Sequence, residues 1–351
     1  MAAIPALAHN HGDDEHAGAH HEEARAQAHH HEGGQLLKVA LWGDQFYAKD
    51  PVQRERMARQ TIKSMNSHDL DFTLYAGDTK NGSSLCTDAM IGRDVVDRFN
   101  QLRAPTIYAL GDNEWTDCHR TAAGGYDPLE RLSYLRQVFF SQNKSQGRHP
   151  IKLERQGALG APYSENSRFV RDDVEFVALD VPGSNNNLVA TAHECHKKSN
   201  RTQAACDAAT QEYRARNKAD IAWLKSSFAR ARKNHYAGIA IVIQADIYAP
   251  FDLADGGYQD NFLPQLDASN GYTDFFKTLV QETHNFDGQV LLIHGDSHYY
   301  RIDKAMYDPN GQLTANFTRV EVFGDTDNSW IEMLVDPNSR NVFLFRPVIL
   351  Q

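Results

Sequence analysis

Four stretches decide the fold: VALWGD at 39–44, LYAGD at 74–78, YALGD at 108–112 and LLIHGD at 291–296. Each is a short apolar run that stops at Gly-Asp. Such runs, bounded by a turn residue, read as buried strands. Glycine lets the chain turn sharply where a strand ends. The first three aspartates are spaced 34 residues apart, a length that fits a strand–helix unit. The units share no wider similarity, so the period reflects α/β architecture and not a solenoid. In open α/β sheets the working groups collect at the carboxyl ends of the strands. Four carboxylates gathered at one edge repel each other and resist ionisation. A bound cation removes that conflict, so the pattern predicts metal held by hard oxygen donors.

Working outward, strands are expected over 38–42, 72–76, 106–110, 238–244 and 290–294, and a hairpin over 168–180 with its turn at Asp172-Asp173. Helices are expected over 51–67, 87–102, 129–140, 213–233 and 272–284. Three further strands follow at 318–323, 330–335 and 342–348. Alternating elements at the start and added strands at the end predict an α/β fold. Its expected form is a four-layer αββα sandwich, two packed mixed β-sheets flanked by helices. Residues 182–210 read as a long polar surface loop. Residues 1–34 carry eight histidines among Asp, Glu, Ala and Gly. They hold too little aliphatic material to fold alone, and read as a disordered His-rich tail suited to metal capture. The domain is expected to run from 35 to 351.

Hydrophobic residues make up 41% of the 351, enough for a real core. A net charge of −10 argues against a nucleic-acid partner, which would need a basic stripe. No apolar run reaches the length of a membrane span. The opening MAAIPALA ends like the small-residue region before a signal-peptidase cut, and four cysteines form an even set. Together these predict an extracytoplasmic chain with Cys86–Cys118 and Cys195–Cys206 bridges. There is no Gly-x-Ser-x-Gly elbow, P-loop or Gly-x-Gly-x-x-Gly, so serine hydrolase and nucleotide-fold readings lack support.

The order of the motifs resembles the calcineurin-like metallophosphoesterases, whose motifs run Asp-x-His, Gly-Asp, Gly-Asn-His-Asp/Glu, a lone His, then Gly-His-x-His. The counterparts are Gly43-Asp44-Gln45-Phe46, Gly77-Asp78, Gly111-Asp112-Asn113-Glu114, the Gln244-Ala245-Asp246 region and Gly295-Asp296-Ser297-His298. The resemblance covers about residues 36–300. It implies metal at Asp44, Asp78, Asp112, Asp246, Asp296 and His298, with Asp78 matching the aspartate that bridges two ions in the family. It implies a metal-dependent phosphoesterase acting on a small-molecule phosphate ester through metal-activated water. This chain departs from the family at Phe46, Asp112-Asn113, Gln244 and Asp296, where histidine or asparagine ligands are replaced. Oxygen donors in those places favour one or two ions of Mg, Mn or Ca over Zn or Fe. Asn113 is expected to contact substrate phosphate. It leaves the family's proton-donating histidine vacant, and His119, Glu114 and His298 are candidates to fill that role. The alternative is a catalytically degenerate relative that binds or sequesters metal. The retained acids count against complete decay, because unpaired buried carboxylates are costly relics.

Overall fold

The computed structural model describes residues 36–248, 266–308 and 310–350. The His-rich segment 1–34 lies outside the described residues. One sheet contains β1 (Leu37–Trp42), β2 (Phe72–Ala76), β3 (Thr106–Ala109), β11 (Trp330–Val335) and β12 (Phe343–Val348), in the order β12-β11-β1-β2-β3. The other contains β4 (Glu154–Arg155), β5 (Ser167–Arg171), β6 (Val174–Ala178), β7 (Gly238–Val242), β8 (Gln289–His294), β9 (Arg301–Asp303) and β10 (Phe317–Glu321), in the order β4-β5-β6-β7-β8-β10-β9. Both sheets are mixed. The pairs β1–β2, β2–β3, β6–β7, β7–β8 and β8–β10 are parallel, and antiparallel strands close every edge but that of β3.

Alternation along each strand separates three apolar layers. Val39 and Leu41 face the second sheet and pack with Leu74, Ala76, Phe176, Val242, Leu291, Ile293 and Val320. The intervening Ala40 and Trp42 face outward with Tyr75 and Tyr108, under the helices Pro51–Asn66, Asp94–Phe99 and Pro128–Phe139. On the far side Ile239, Ile241 and Leu292 pack beneath the helices Gln203–Asn234 and Thr273–His284. The result is the αββα sandwich. The expected hairpin turn at Asp172-Asp173 forms with both residues at positive φ.

The region expected to be one long loop is partly helical. Thr191 and Glu194 form a capping box at the start of a short helix, Ala192–His196. The long helix starts at Gln203, ten residues before the apolar pattern becomes visible, because Thr202 accepts from the Ala205 amide as its N-cap. Its first turns are alanine-rich, so helix propensity and a cap define them without an apolar stripe.

Register places the working edge. Trp42 pairs with Tyr75 and Tyr75 with Tyr108, so Gly43-Asp44, Gly77-Asp78 and Gly111-Asp112 leave the first sheet side by side. In the second sheet Val242 pairs with Ile293, which brings Gln244 and Gly295 to the same edge. The two edges meet. A Cβ at Gly77 would lie 2.3 Å from the Gln244 side chain, and one at Gly295 would lie 2.0 Å from Asp44 Oδ2. Glycine is required at these positions by close approach as well as by the turn.

Candidate metal centre

The turns after β1, β2 and β8 hold Asp44, Asp78 and Asp296 at φ of 48°, 54° and 78°. Aspartate tolerates this left-handed region better than most residues. Asp44, Asp78 and Asp112 are buried, and Asp296 is partly so. Asp44 Oδ2 accepts from the Asp296 amide at 2.9 Å. Asp78 accepts from the Asn113 amide at 3.0 Å, from Asn113 Nδ2 at 2.5 Å and from the Tyr47 hydroxyl at 2.5 Å. Asp112 accepts from Ser184 Oγ at 2.6 Å. Gln244 Nε2 lies between Asp112 Oδ1, at 3.5 Å, and Asp296 Oδ1, at 3.2 Å. His298 Nε2 stands 3.8 Å from Asp44 Oδ1 and is a buried ring nitrogen with no hydrogen-bond partner among the described residues.

These groups, without Asp44 and Gln244, line an open cavity of about 420 Å³ together with Gly82, Asp117, Arg120 and Asp246. Asp44 sits just behind it, against His298 and Asp296. Among the described residues, none of Asp44, Asp78, Asp112 and Asp296 has a lysine or arginine at ion-pair distance. Burial, then mutual repulsion, pushes the carboxyls of Asp44, Asp78 and Asp296 well above the usual range. Their strongest opponents are Asp296 for Asp44, and Asp112 for Asp78 and Asp296. A Cβ at residue 183 would lie 2.7–2.8 Å from oxygens of both Asp112 and Asp296, so glycine lets the backbone approach the two carboxylates closely. Several oxygen donors, an imidazole nitrogen without a hydrogen-bond partner among the described residues, and negative charge in excess of the buried Lys80 fit a hard divalent ion.

The other expected site residues fall elsewhere. Asp246 reaches the cavity wall, yet its carboxylate accepts from Ser297 and Arg301. With His294 and Glu321 it forms a separate buried group whose ligand atoms lie within 4.8 Å of one another. Arg301 also pairs with Glu321 at 2.6 Å, so that group already contains a cation. Glu114 faces away from the cavity. It accepts from the Tyr108 hydroxyl and the amides of Gly111 and Thr79, locking the β2 and β3 turns together. His119 lines an adjoining cavity, and burial plus Arg201 and Arg120 push its pKa down to about 3. Phe46 sits in the outer aromatic layer under the Arg98 guanidinium. Of the aromatics near the motifs, Tyr47 lines the cavity, whereas Trp115 and Tyr248 are buried in packing.

Three features escaped the sequence reading. Lys80 is a fully buried cation beneath the cluster, its pKa lowered by burial against the pull of Glu114 and Asp78. Asp117 lies beside Asp112, accepts from Ser184 at 2.8 Å, pairs with Arg120, and is pushed up to about 7 by burial and Asp112. Residues Ser184, Asn185, Asn186 and Asn187 all have positive φ, between 48° and 65°. Such strain persists only where its surroundings over-determine it. Here Arg216 holds the Asn186 side chain and carbonyl at 2.7 and 2.9 Å, and Asn185 bonds to Gly271 and Ser269. The segment aims Ser184 between Asp112 and Asp117. A Gly followed by Ser and three Asn, all tolerant of the left-handed region, was the available signal.

Both expected disulfides form, Cys86–Cys118 and Cys195–Cys206. No described helix is long and apolar enough to cross a membrane.

No family model and no curated protein matches the chain. Among solved structures it is similar to GAP50, the anchor in the inner membrane complex of Plasmodium, at 13% identity, covering 90% of this chain and 89% of that one with a TM-score of 0.42. It is also similar to a 5'-nucleotidase from Candida albicans, at 10% identity, 89% and 51% coverage and a TM-score of 0.38. The sulfate thiohydrolase SoxB from Thermus thermophilus matches at 11% identity, 87% and 45% coverage and 0.38. The chain thus spans about half the length of the last two.

Proposed function

We propose that this chain is an extracytoplasmic, metal-dependent phosphoesterase acting on a small-molecule phosphate ester. Asp44, Asp78, Asp112, Asp296 and His298 would hold one or two divalent ions, with Mg, Mn or Ca preferred over Zn or Fe. The observation that carries this reading is the gathering of Asp44, Asp78, Asp112 and Asp296 at one cavity with no lysine or arginine ion pair among the described residues. Divalent ions at such a site stabilise charge on phosphoryl oxygens and acidify water. Tyr47 and Asn113 fix the Asp78 carboxylate in one orientation. Asn113 also lines the cavity, and a contact to substrate phosphate would draw an Nδ2 hydrogen away from Asp78 or the Tyr47 hydroxyl, which hold both of them. Arg120, at the rim, adds a guanidinium suited to the same anion. Of the three proton-donor candidates His298 lines the cavity and Glu114 and His119 do not; for its Nε2, holding an ion and donating a proton are alternative roles. The two disulfides support an oxidising compartment.

One observation favours a second reading, a catalytically degenerate metal-binding or sequestering protein. Asp78 is already satisfied by three protein donors, and among the described residues the one imidazole at the cavity abuts Asp44. Phosphate release from simple mono- and diesters, with Mg, Mn, Ca or Zn supplied, separates the two. Turnover with any of these ions supports the enzyme. A folded protein that binds metal without turnover supports the second reading. Removing residues 1–34 leaves turnover intact in the first case and removes most metal capacity in the second.

A further inference from the structure

Next to the carboxylate cavity lies a second one of about 200 Å³ with the opposite charge. Its cations are Arg120, Lys197, Lys198 and Arg201, and its acids are Asp117 and Glu194. Both acids are engaged. Glu194 accepts from the amides of Ala190 and Thr191 at 2.7 and 2.9 Å, and Asp117 holds Ser184 and Arg120. Arg201 donates to the carbonyls of Cys195 and Glu194, both at 3.3 Å, and pairs with no carboxylate among the described residues. Backbone dipoles therefore orient this guanidinium while leaving its charge uncompensated.

The walls of this cavity are pinned. The Cys195–Cys206 bridge closes the segment that carries Lys197, Lys198 and Arg201. The Cys86–Cys118 bridge anchors the segment that carries Asp117 and Arg120. The two segments are laced together, Thr121 N donating to the Lys198 carbonyl at 2.9 Å and Ser199 Oγ to the His119 carbonyl at 3.0 Å. Positive groups held in fixed geometry favour an anion that arrives without reorganisation. Asp117, Arg120 and Ser184 line both cavities and bond to one another, so the two cavities adjoin across this group.

We infer that this basic cavity is a subsite for a second phosphate, so that the preferred substrate is a small bisphosphorylated molecule with one phosphate at the carboxylate centre and the other beside Arg201 and Lys198. The substrate preference rests on the phosphoesterase reading; the binding of the second anion does not. The matched probes are butylphosphonate and butane-1,4-diyl bisphosphonate for calorimetric binding, and butyl phosphate and butane-1,4-diol bisphosphate for turnover, all with the full-length chain and Mn²⁺. The bisphosphonate is expected to bind about 10- to 100-fold more tightly than the monophosphonate, the scale of one or two charge-assisted contacts. Arg201→Gln removes most of that advantage and leaves monophosphonate binding unchanged. Lys198→Gln, at an exposed side chain, provides the same test without risk to the fold. Equal binding of the two phosphonates, or variants that weaken both alike, overturns the subsite. If neither ester is hydrolysed but the binding advantage depends on Arg201, the phosphoesterase reading fails and the anion site stands. If both esters turn over equally and the variants change nothing, the subsite fails and the phosphoesterase reading stands.

Discussion

Replacing Asp296 with asparagine should stabilise the metal-free protein and abolish its stabilisation by metal. Asparagine has the same shape and tolerates the positive φ that residue 296 adopts, so the backbone cost is small. The carboxylate oxygens of Asp112 and Asp296 each lie 2.7–2.8 Å from the point where a Cβ on residue 183 would stand, so they are at most roughly 5.6 Å apart. Two unit charges at that separation in an effective dielectric of about 20 repel by about 3 kcal/mol. Asp296 relieves part of this by binding a proton, because burial and Asp112 raise its pKa. A gain of about 1–2 kcal/mol at pH 8 is therefore expected, or roughly 1.5–3 °C in Tm for a domain of this size. The sign with pH follows from linkage. A carboxyl whose folded pKa is raised contributes most below its unfolded value and loses that contribution as pH rises through the folded value. The advantage of Asp296→Asn should thus shrink as pH falls from 8 to 5. With metal at about one hundred times its Kd, the parent chain gains about 2.7 kcal/mol and the variant does not. Thermal unfolding by circular dichroism, in chelator and in Mn²⁺, measures all of this. The reasoning is refuted if the variant is less stable in chelator at pH 8, or if it keeps the parent's full metal-induced rise.

Three further substitutions probe the supports of the site. Gly295→Ala places a Cβ about where Asp44 Oδ2 now lies, so it should displace Asp44 and lower metal affinity at least ~10-fold by calorimetry, the scale at which loss of an orienting neighbour acts. Cys86→Ser with Cys118→Ser opens a bridge between residues 32 apart; the expected cost is about 2–4 kcal/mol by denaturant unfolding. Arg216→Met removes the buried guanidinium that holds the left-handed segment and leaves Asp180 and Asp220 uncompensated. A loss of about 3–5 kcal/mol by the same measurement is expected.

The strands that build the working edge were legible because each is an apolar run closed by Gly-Asp, and both cues are local. Phe72–Ala76 was placed to the residue for that reason. The start of the helix at Gln203 was not, since a Thr cap and an alanine-rich turn leave no periodic stripe. Spacing brought Asp44, Asp78, Asp112 and Asp296 to one edge, but it could not show what each one faces. Glu114 sits one residue past Asn113, and only the fold turns it toward Tyr108 and the Gly111 amide. Asp246 meets Arg301 across 55 positions of sequence, a pairing without a local trace. Lys80 reads as an ordinary turn lysine until the turn is seen to be buried.

The most direct test of the carboxylate centre is to count bound ions by elemental analysis after equilibrium dialysis against Mg²⁺ or Mn²⁺, comparing the full chain with its Asp44→Asn/Asp296→Asn variant. The histidines at the amino end are the same in both proteins, so the difference belongs to the cluster. The account predicts one or two fewer ions per chain in the variant. An unchanged count in a folded variant contradicts it.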